Sequence, residues 1–168
     1  MNFALCGMMG CGKTTVGKLL AKLTDKTFVD TDACIVEKYG VISEIFACHG
    51  EAYFRDLETE TVAELVVRDD LVIATGGGLV LREKNVAMLK ETGKLVYLRT
   101  TADTLVQRLE RDTERPLLHG GEETLRARIE RILGERAKIY EKSADFTVDT
   151  DGKSAQEIAD EILRIISK

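Results

Sequence analysis

Residues 7–15 read Gly7-Met8-Met9-Gly10-Cys11-Gly12-Lys13-Thr14-Thr15 and satisfy the pattern G-x-x-x-x-G-K-[ST] in full. Glycines let a backbone wrap tightly enough for several N–H groups to converge on one anion, and a helix that follows adds the positive end of its dipole. The lysine then offers an ammonium to the β- and γ-phosphates, and the threonine hydroxyl is a Mg²⁺ ligand. The flanks supply the context the pattern needs. Asn2-Phe3-Ala4-Leu5-Cys6 is a short uncharged run suited to a buried strand, while Val16, Leu19, Leu20 and Leu23 recur at helical spacing. Strand, loop and helix stand in the required order, so Gly10, Cys11, Gly12, Lys13, Thr14 and Thr15 are expected to hold a nucleoside triphosphate, and Thr14 its metal.

Short apolar runs that favour strands recur at 2–6, 27–30, 71–75, 95–99 and 145–148. Helical periodicity fills 13–24, 32–39, 43–67, 82–91, 102–111, 122–142 and 154–167. This alternation predicts an α/β fold, a single three-layer α/β/α domain over 1–168 with a central five-stranded parallel sheet. A chain of 168 residues suits one such domain. Its formal charge of -5 argues against nucleic acid or an anionic membrane as the main partner. No apolar run has the length of a transmembrane helix, and a strand expected from residue 2 leaves no room for a leader, so a cytoplasmic protein is expected. The cysteines at 6, 11, 34 and 48 form no C-x-x-C pair, which predicts neither a zinc site nor a disulfide framework.

In parallel α/β folds ligands gather beyond the carboxyl ends of the strands. The second strand runs into Asp30-Thr31-Asp32, two carboxylates at i, i+2 that would point the same way from extended chain. One suits a metal-bound water and the other a substrate hydroxyl, although Asp32 also reads as a helix N-cap. The third strand ends in Thr75-Gly76-Gly77-Gly78. Three successive glycines are costly to order, and they are expected to let a small ligand lie against backbone amides. Arg55 and Arg136 are the arginines that an anionic substrate would want, yet each by itself reads more readily as a solvated ion-pairing residue than as a ligand. The polar stretch 111–121, which holds the only proline and ends in Gly120-Gly121, is expected to be a mobile lid, with Arg115 able to reach a transferring phosphate.

Together these segments resemble the shikimate kinases of the P-loop kinase superfamily. The resemblance runs through Gly7 to Thr15, Phe28 to Asp32, Gly50-Glu51 with Phe54-Arg55 and Glu58, Thr75 to Gly78, Arg115-Pro116-Leu117-Leu118, and Glu135-Arg136-Ala137 with Tyr140. It implies ATP- and Mg²⁺-dependent phosphorylation of the 3-hydroxyl of shikimate in aromatic amino-acid biosynthesis. It implies that Lys13 and Thr14 bind phosphates and Mg²⁺, and that Asp30 holds a metal-bound water. Asp32 would orient the reacting hydroxyl, Arg55 and Arg136 would grip the substrate carboxylate, and Gly76, Gly77 and Gly78 would contact the substrate. Arg115 would close over the phosphates, and Arg108 would pack against adenine, helped by the stretch near Asp149-Thr150-Asp151. Residues about 32–60 would form the substrate-binding helices. Thr75 fits a family whose third strand carries no acidic residue at its end, and Thr14 replaces a common serine with the hydroxyl kept. A monomer is expected.

Another small-molecule kinase of the superfamily, such as a gluconate kinase, would also use arginines for a carboxylate. A nucleotide-dependent switch is a different class. It would need a guanine-reading N-K-x-D motif, which the sequence lacks, and Asp149-Thr150-Asp151-Gly152 comes too late in the chain to sense a γ-phosphate.

Overall fold

The structure, a computed structural model, describes residues 1–111 and 123–168; the segment expected to form a lid, including Arg115, otherwise lies outside them. Five strands appear where the apolar runs predict them: β1 Asn2–Cys6, β2 Thr27–Asp30, β3 Leu71–Ala74, β4 Gly93–Arg99 and β5 Phe146–Asp149. All pair in parallel, in the order β2-β3-β1-β4-β5. The helices are α1 Lys13–Thr24, α2 Thr31–Tyr39, α3 Ile42–His49, α4 Glu51–Val66, α5 Glu83–Thr92, α6 Ala102–Leu109, α7 Leu125–Ser143 and α8 Ala155–Ile166, with a 3-10 turn at Leu79–Leu81.

The order of the strands dictates where the helices go. From β1 the chain moves to β2 on one side, whereas β3 is followed by β4 on the other. Right-handed crossovers in opposite directions place their helices on opposite faces. Accordingly α1 packs with α8, and α4 packs with α5. The crevice between β1 and β3, where the direction reverses, is where a sheet of this kind binds ligands.

β1, β3 and the middle of β4 are buried on both faces, which is why they read as unbroken apolar runs rather than alternating ones. Their side chains, with those of α1, α6 and α8, form the main core. A second, smaller cluster stands apart: Ile35, Ile45, Phe54 and Leu57, flanked by Ile42 and Phe46, hold α2, α3 and α4 together.

The sequence predicts one helix over 43–67, but the chain breaks it at Gly50, whose φ of 84° and ψ of 174° lie outside the range of other residues. The Gly50 amide closes α3 by donating to the Phe46 carbonyl, and α4 then starts in a new direction. Apolar periodicity alone does not reveal that turn, because both halves bury residues on compatible faces.

Candidate active site

The loop between β1 and α1 is shaped by Gly7, Gly10 and Gly12, all at positive φ. The Cys11 amide donates to the Met8 carbonyl (3.1 Å), and Val16 N–H to Gly12 (2.9 Å), so the turn passes directly into α1. Lys13 arches over the loop. Its Nζ donates to the carbonyls of Gly7 (2.6 Å) and Met8 (3.0 Å) and lies 3.7 Å from Cys11 Sγ. A cation is thus held beside a cradle of amides at a helix N-terminus. Cys11 is buried, and burial pushes the neighbouring Cys6 thiol up to about 12, which keeps it neutral and unreactive.

Across from Thr14, β2 delivers Asp30. Thr14 Oγ1 donates to Asp30 Oδ2 at 3.4 Å. Asp30 Oδ1 accepts from the amides of Asp32 (2.9 Å) and Ala33 (3.2 Å), which makes Asp30 the N-cap of α2. This corrects the reading of Asp32 as the cap: α2 begins at Thr31, one residue earlier than expected, and Asp32 sits in its first turn. The pair is therefore not two residues of an extended strand. Both still line one cavity of about 900 Å³ that also takes in the loop of Lys13 and the end of β3.

The glycine run after β3 lies close against side chains from other elements. None of Gly76, Gly77 and Gly78 has a positive φ, so backbone freedom is not what requires them. Space is. A methyl at Gly76 would lie 2.6 Å from Asp32 Oδ1 and 3.0 Å from Glu58 Oε2. One at Gly77 would come within 3.3 Å of the Arg136 guanidinium, and one at Gly78 would run into that of Arg55. The run clears room for side chains lent by α2, α4 and α7. The Gly76 amide is also already engaged, donating to Thr31 Oγ1 at 2.9 Å.

Arg55 donates to Glu58 Oε1 at 2.6 Å, one turn along α4, and to Glu51 Oε1 at 3.3 Å. Glu58 is 1% exposed, so this pair is desolvated rather than a surface ion pair. Burial raises the Glu58 pKa, against the pull of Arg55. Burial would lower the Arg55 pKa, but the charges and hydrogen bonds of Glu58 and Glu51 together outweigh it and the net shift is upward. Arg55, Glu58, Arg136 and Asp32 line a small pocket of about 80 Å³ with Phe46 and Phe54, continuous in its residues with the larger cavity through Met9, Asp32 and Gly77. Arg55 and Arg136 are 81 residues apart in sequence and meet only here.

The far end of the large cavity is lined by Arg108, Lys153, Ala155 and Ile158. Arg108 donates to the Gly10 carbonyl at 3.0 Å, which holds it against the phosphate loop. Asp149 is bound by Arg99 through two bonds of 2.6 and 3.0 Å, and the Thr150 hydroxyl lies 2.6 Å from that of Thr100. The residues just beyond, at the start of α8, face the cavity instead.

Three contributors had no role assigned from the residues alone. Glu58 carries its signal in the i, i+3 spacing from Arg55, which puts acid and base on one helix face. Thr31 and Tyr140 act through contacts with Gly76 and Gly77 that no local pattern encodes. Among the described residues no cluster of three or more His, Cys, Asp or Glu could by itself hold a metal. Nor is any helix there long and apolar enough to cross a membrane.

The family model for shikimate kinase matches residues 9–167. A shikimate kinase of Thermodesulfovibrio yellowstonii is 44% identical over 164 residues, covering 97% of this chain and 93% of the relative. Among solved structures, shikimate kinase from Acinetobacter baumannii in complex with shikimate is similar at a TM-score of 0.92 and 40% identity, covering 99% of this chain and 92% of that one. Shikimate kinase from Aquifex aeolicus is similar at 0.84 and 36% identity, with 99% and 96% covered. The fold expected from the sequence, a five-stranded parallel sheet between two helical layers, is the fold these structures share.

Proposed function

The chain belongs to the shikimate kinase family, and on that premise we propose that it transfers the γ-phosphoryl group of ATP to the 3-hydroxyl of shikimate. The observation that carries the reading is the meeting of Asp32, Arg55 and Arg136 around the glycine run, directly beside the cradle of Lys13. A small hydroxy acid placed there has two guanidiniums for its carboxylate and one carboxylate for its hydroxyl.

Phosphoryl transfer asks little covalent chemistry of a protein, so placement and charge carry the rate. Loop amides and Lys13 hold the phosphates. Arg55, stiffened by Glu58, and Arg136 fix the acceptor by its carboxylate. Asp32 aligns the 3-hydroxyl and stands ready for its proton as the new P–O bond forms and ADP leaves. Arg108 covers the base. Arg115, outside the described residues, is the arginine that the family resemblance assigns to the transferring phosphate. Thr14 and Asp30 fit a Mg²⁺ that takes few protein ligands and keeps water and phosphate oxygens as the rest. When bound, that ion offsets the charge of the β- and γ-oxygens. The reading includes a cytoplasmic monomer, for which gel filtration is the test of size.

A coupled assay for ADP, run with ATP, Mg²⁺ and a panel of hydroxy acids, tests the reading. Release of ADP should depend on shikimate, with ³¹P NMR showing one new phosphate ester. Turnover with gluconate and none with shikimate would overturn it.

A further inference from the structure

Arg136 and Tyr140 are four residues apart in α7 and so share a helix face. Tyr140 is fully buried, and its ring packs against Tyr97 of β4 with centroids 5.0 Å apart. The hydroxyl leaves that aromatic pair and donates to the Gly77 carbonyl at 2.6 Å. The Arg136 guanidinium reaches the same place: a methyl at Gly77 would lie 3.3 Å from its Nη1, and its charge pulls against the burial that raises the Tyr140 pKa. A guanidinium has only donors, whereas a hydroxyl has one proton and two lone pairs. Because Gly77 takes the proton, the oxygen keeps its lone pairs to offer a neighbouring guanidinium. Arg136, the Tyr140 hydroxyl and the Gly77 carbonyl thus adjoin one another at the acceptor pocket.

Arg55 has a buried acid, Glu58, to set its direction, and Arg136 has the phenol. We infer that Tyr140 is the positioning residue for Arg136: anchored by Gly77, its hydroxyl points the guanidinium at the acceptor's carboxylate. This rests on the reading of the site as a shikimate site. The hydroxyl bears on acceptor binding and leaves the phosphate loop untouched, since its partners are Gly77 and Arg136.

Tyr140→Phe removes only the oxygen and keeps the ring against Tyr97. The parent, Tyr140→Phe, Arg136→Ala and the double variant are compared by kcat and KM for both substrates, using kcat/KM where shikimate does not saturate. Tyr97→Phe is the control, because it takes a hydroxyl from the same aromatic pair without touching Arg136, and circular dichroism confirms that each variant is folded. Tyr140→Phe should raise the shikimate KM about five- to tenfold, with kcat and the ATP KM within about twofold of the parent. In the Arg136→Ala background the same change should shift kcat/KM for shikimate less than about twofold. Tyr97→Phe should match the parent. An unchanged shikimate KM in Tyr140→Phe overturns the inference, as does an equal effect with and without Arg136, which would give the hydroxyl a purely structural role. A parent that turns over ATP with another acid and not with shikimate would instead overturn the underlying reading.

Discussion

The two halves of the proposed site are built on opposite principles. The phosphate half is contiguous: nine residues, Gly7 to Thr15, whose backbone supplies the amides and whose own lysine supplies the charge. The acceptor half is assembled from Asp32 of α2, Arg55 and Glu58 of α4, and Arg136 of α7, set around a glycine run that contributes no side chain. Backbone-borne sites depend on local conformation, and side-chain-borne sites depend on tertiary packing. Damage to the first should therefore abolish phosphate chemistry outright, while damage to the second should divide into effects on rate and effects on acceptor affinity.

The strongest test takes one charged residue from each half. Asp32→Asn should lower kcat by roughly a hundredfold to ten-thousandfold if its carboxylate receives the proton. Lys13→Ala should lower it by roughly a hundredfold or more, through loss of charge at the phosphates. Steady-state kinetics checks both, and a variant of either kind that keeps most of its turnover would remove that half from the site. Next, Arg136→Ala should weaken shikimate binding by about 2–5 kcal/mol while leaving ATP affinity near the parent's, as measured by calorimetry. Equal losses for both ligands would dissolve the division between the halves. Gly78→Ala is subtler, since the added methyl meets a flexible guanidinium rather than backbone. It should cost about ten- to a hundredfold in kcat/KM for shikimate by displacing Arg55, with the melting temperature nearly unchanged. The smallest effect separates Asp30 from Asp32. Asp30→Ala removes the cap of α2 and should cost about 1 kcal/mol of stability, read by urea unfolding, whereas Asp32→Asn should cost far less.

That contrast also explains what could be read before the structure. Strand order needed only apolar runs bounded by polar loops, because β1, β3 and the core of β4 are buried on both sides. The phosphate loop needed only its own nine residues. The acceptor half was reached by resemblance, because nothing local distinguishes Arg136 from the other arginines of α7 or links it to Arg55. The three glycines drew notice as bare backbone, whereas their need for space arises from side chains 18 to 59 residues away in sequence. Gly50 was read within a continuous helix because its break depends on one residue's φ and not on the periodicity around it.

The break at Gly50 and the small apolar cluster beneath it also bear on how such a protein could be altered. Ile42, Phe46 and Phe54 line the acceptor pocket from a cluster that is separate from the core of Leu5, Ile73 and Val96. A combinatorial library confined to those three positions would reshape the pocket's apolar wall, and so the acids it admits, while the machinery that handles the triphosphate was inherited intact.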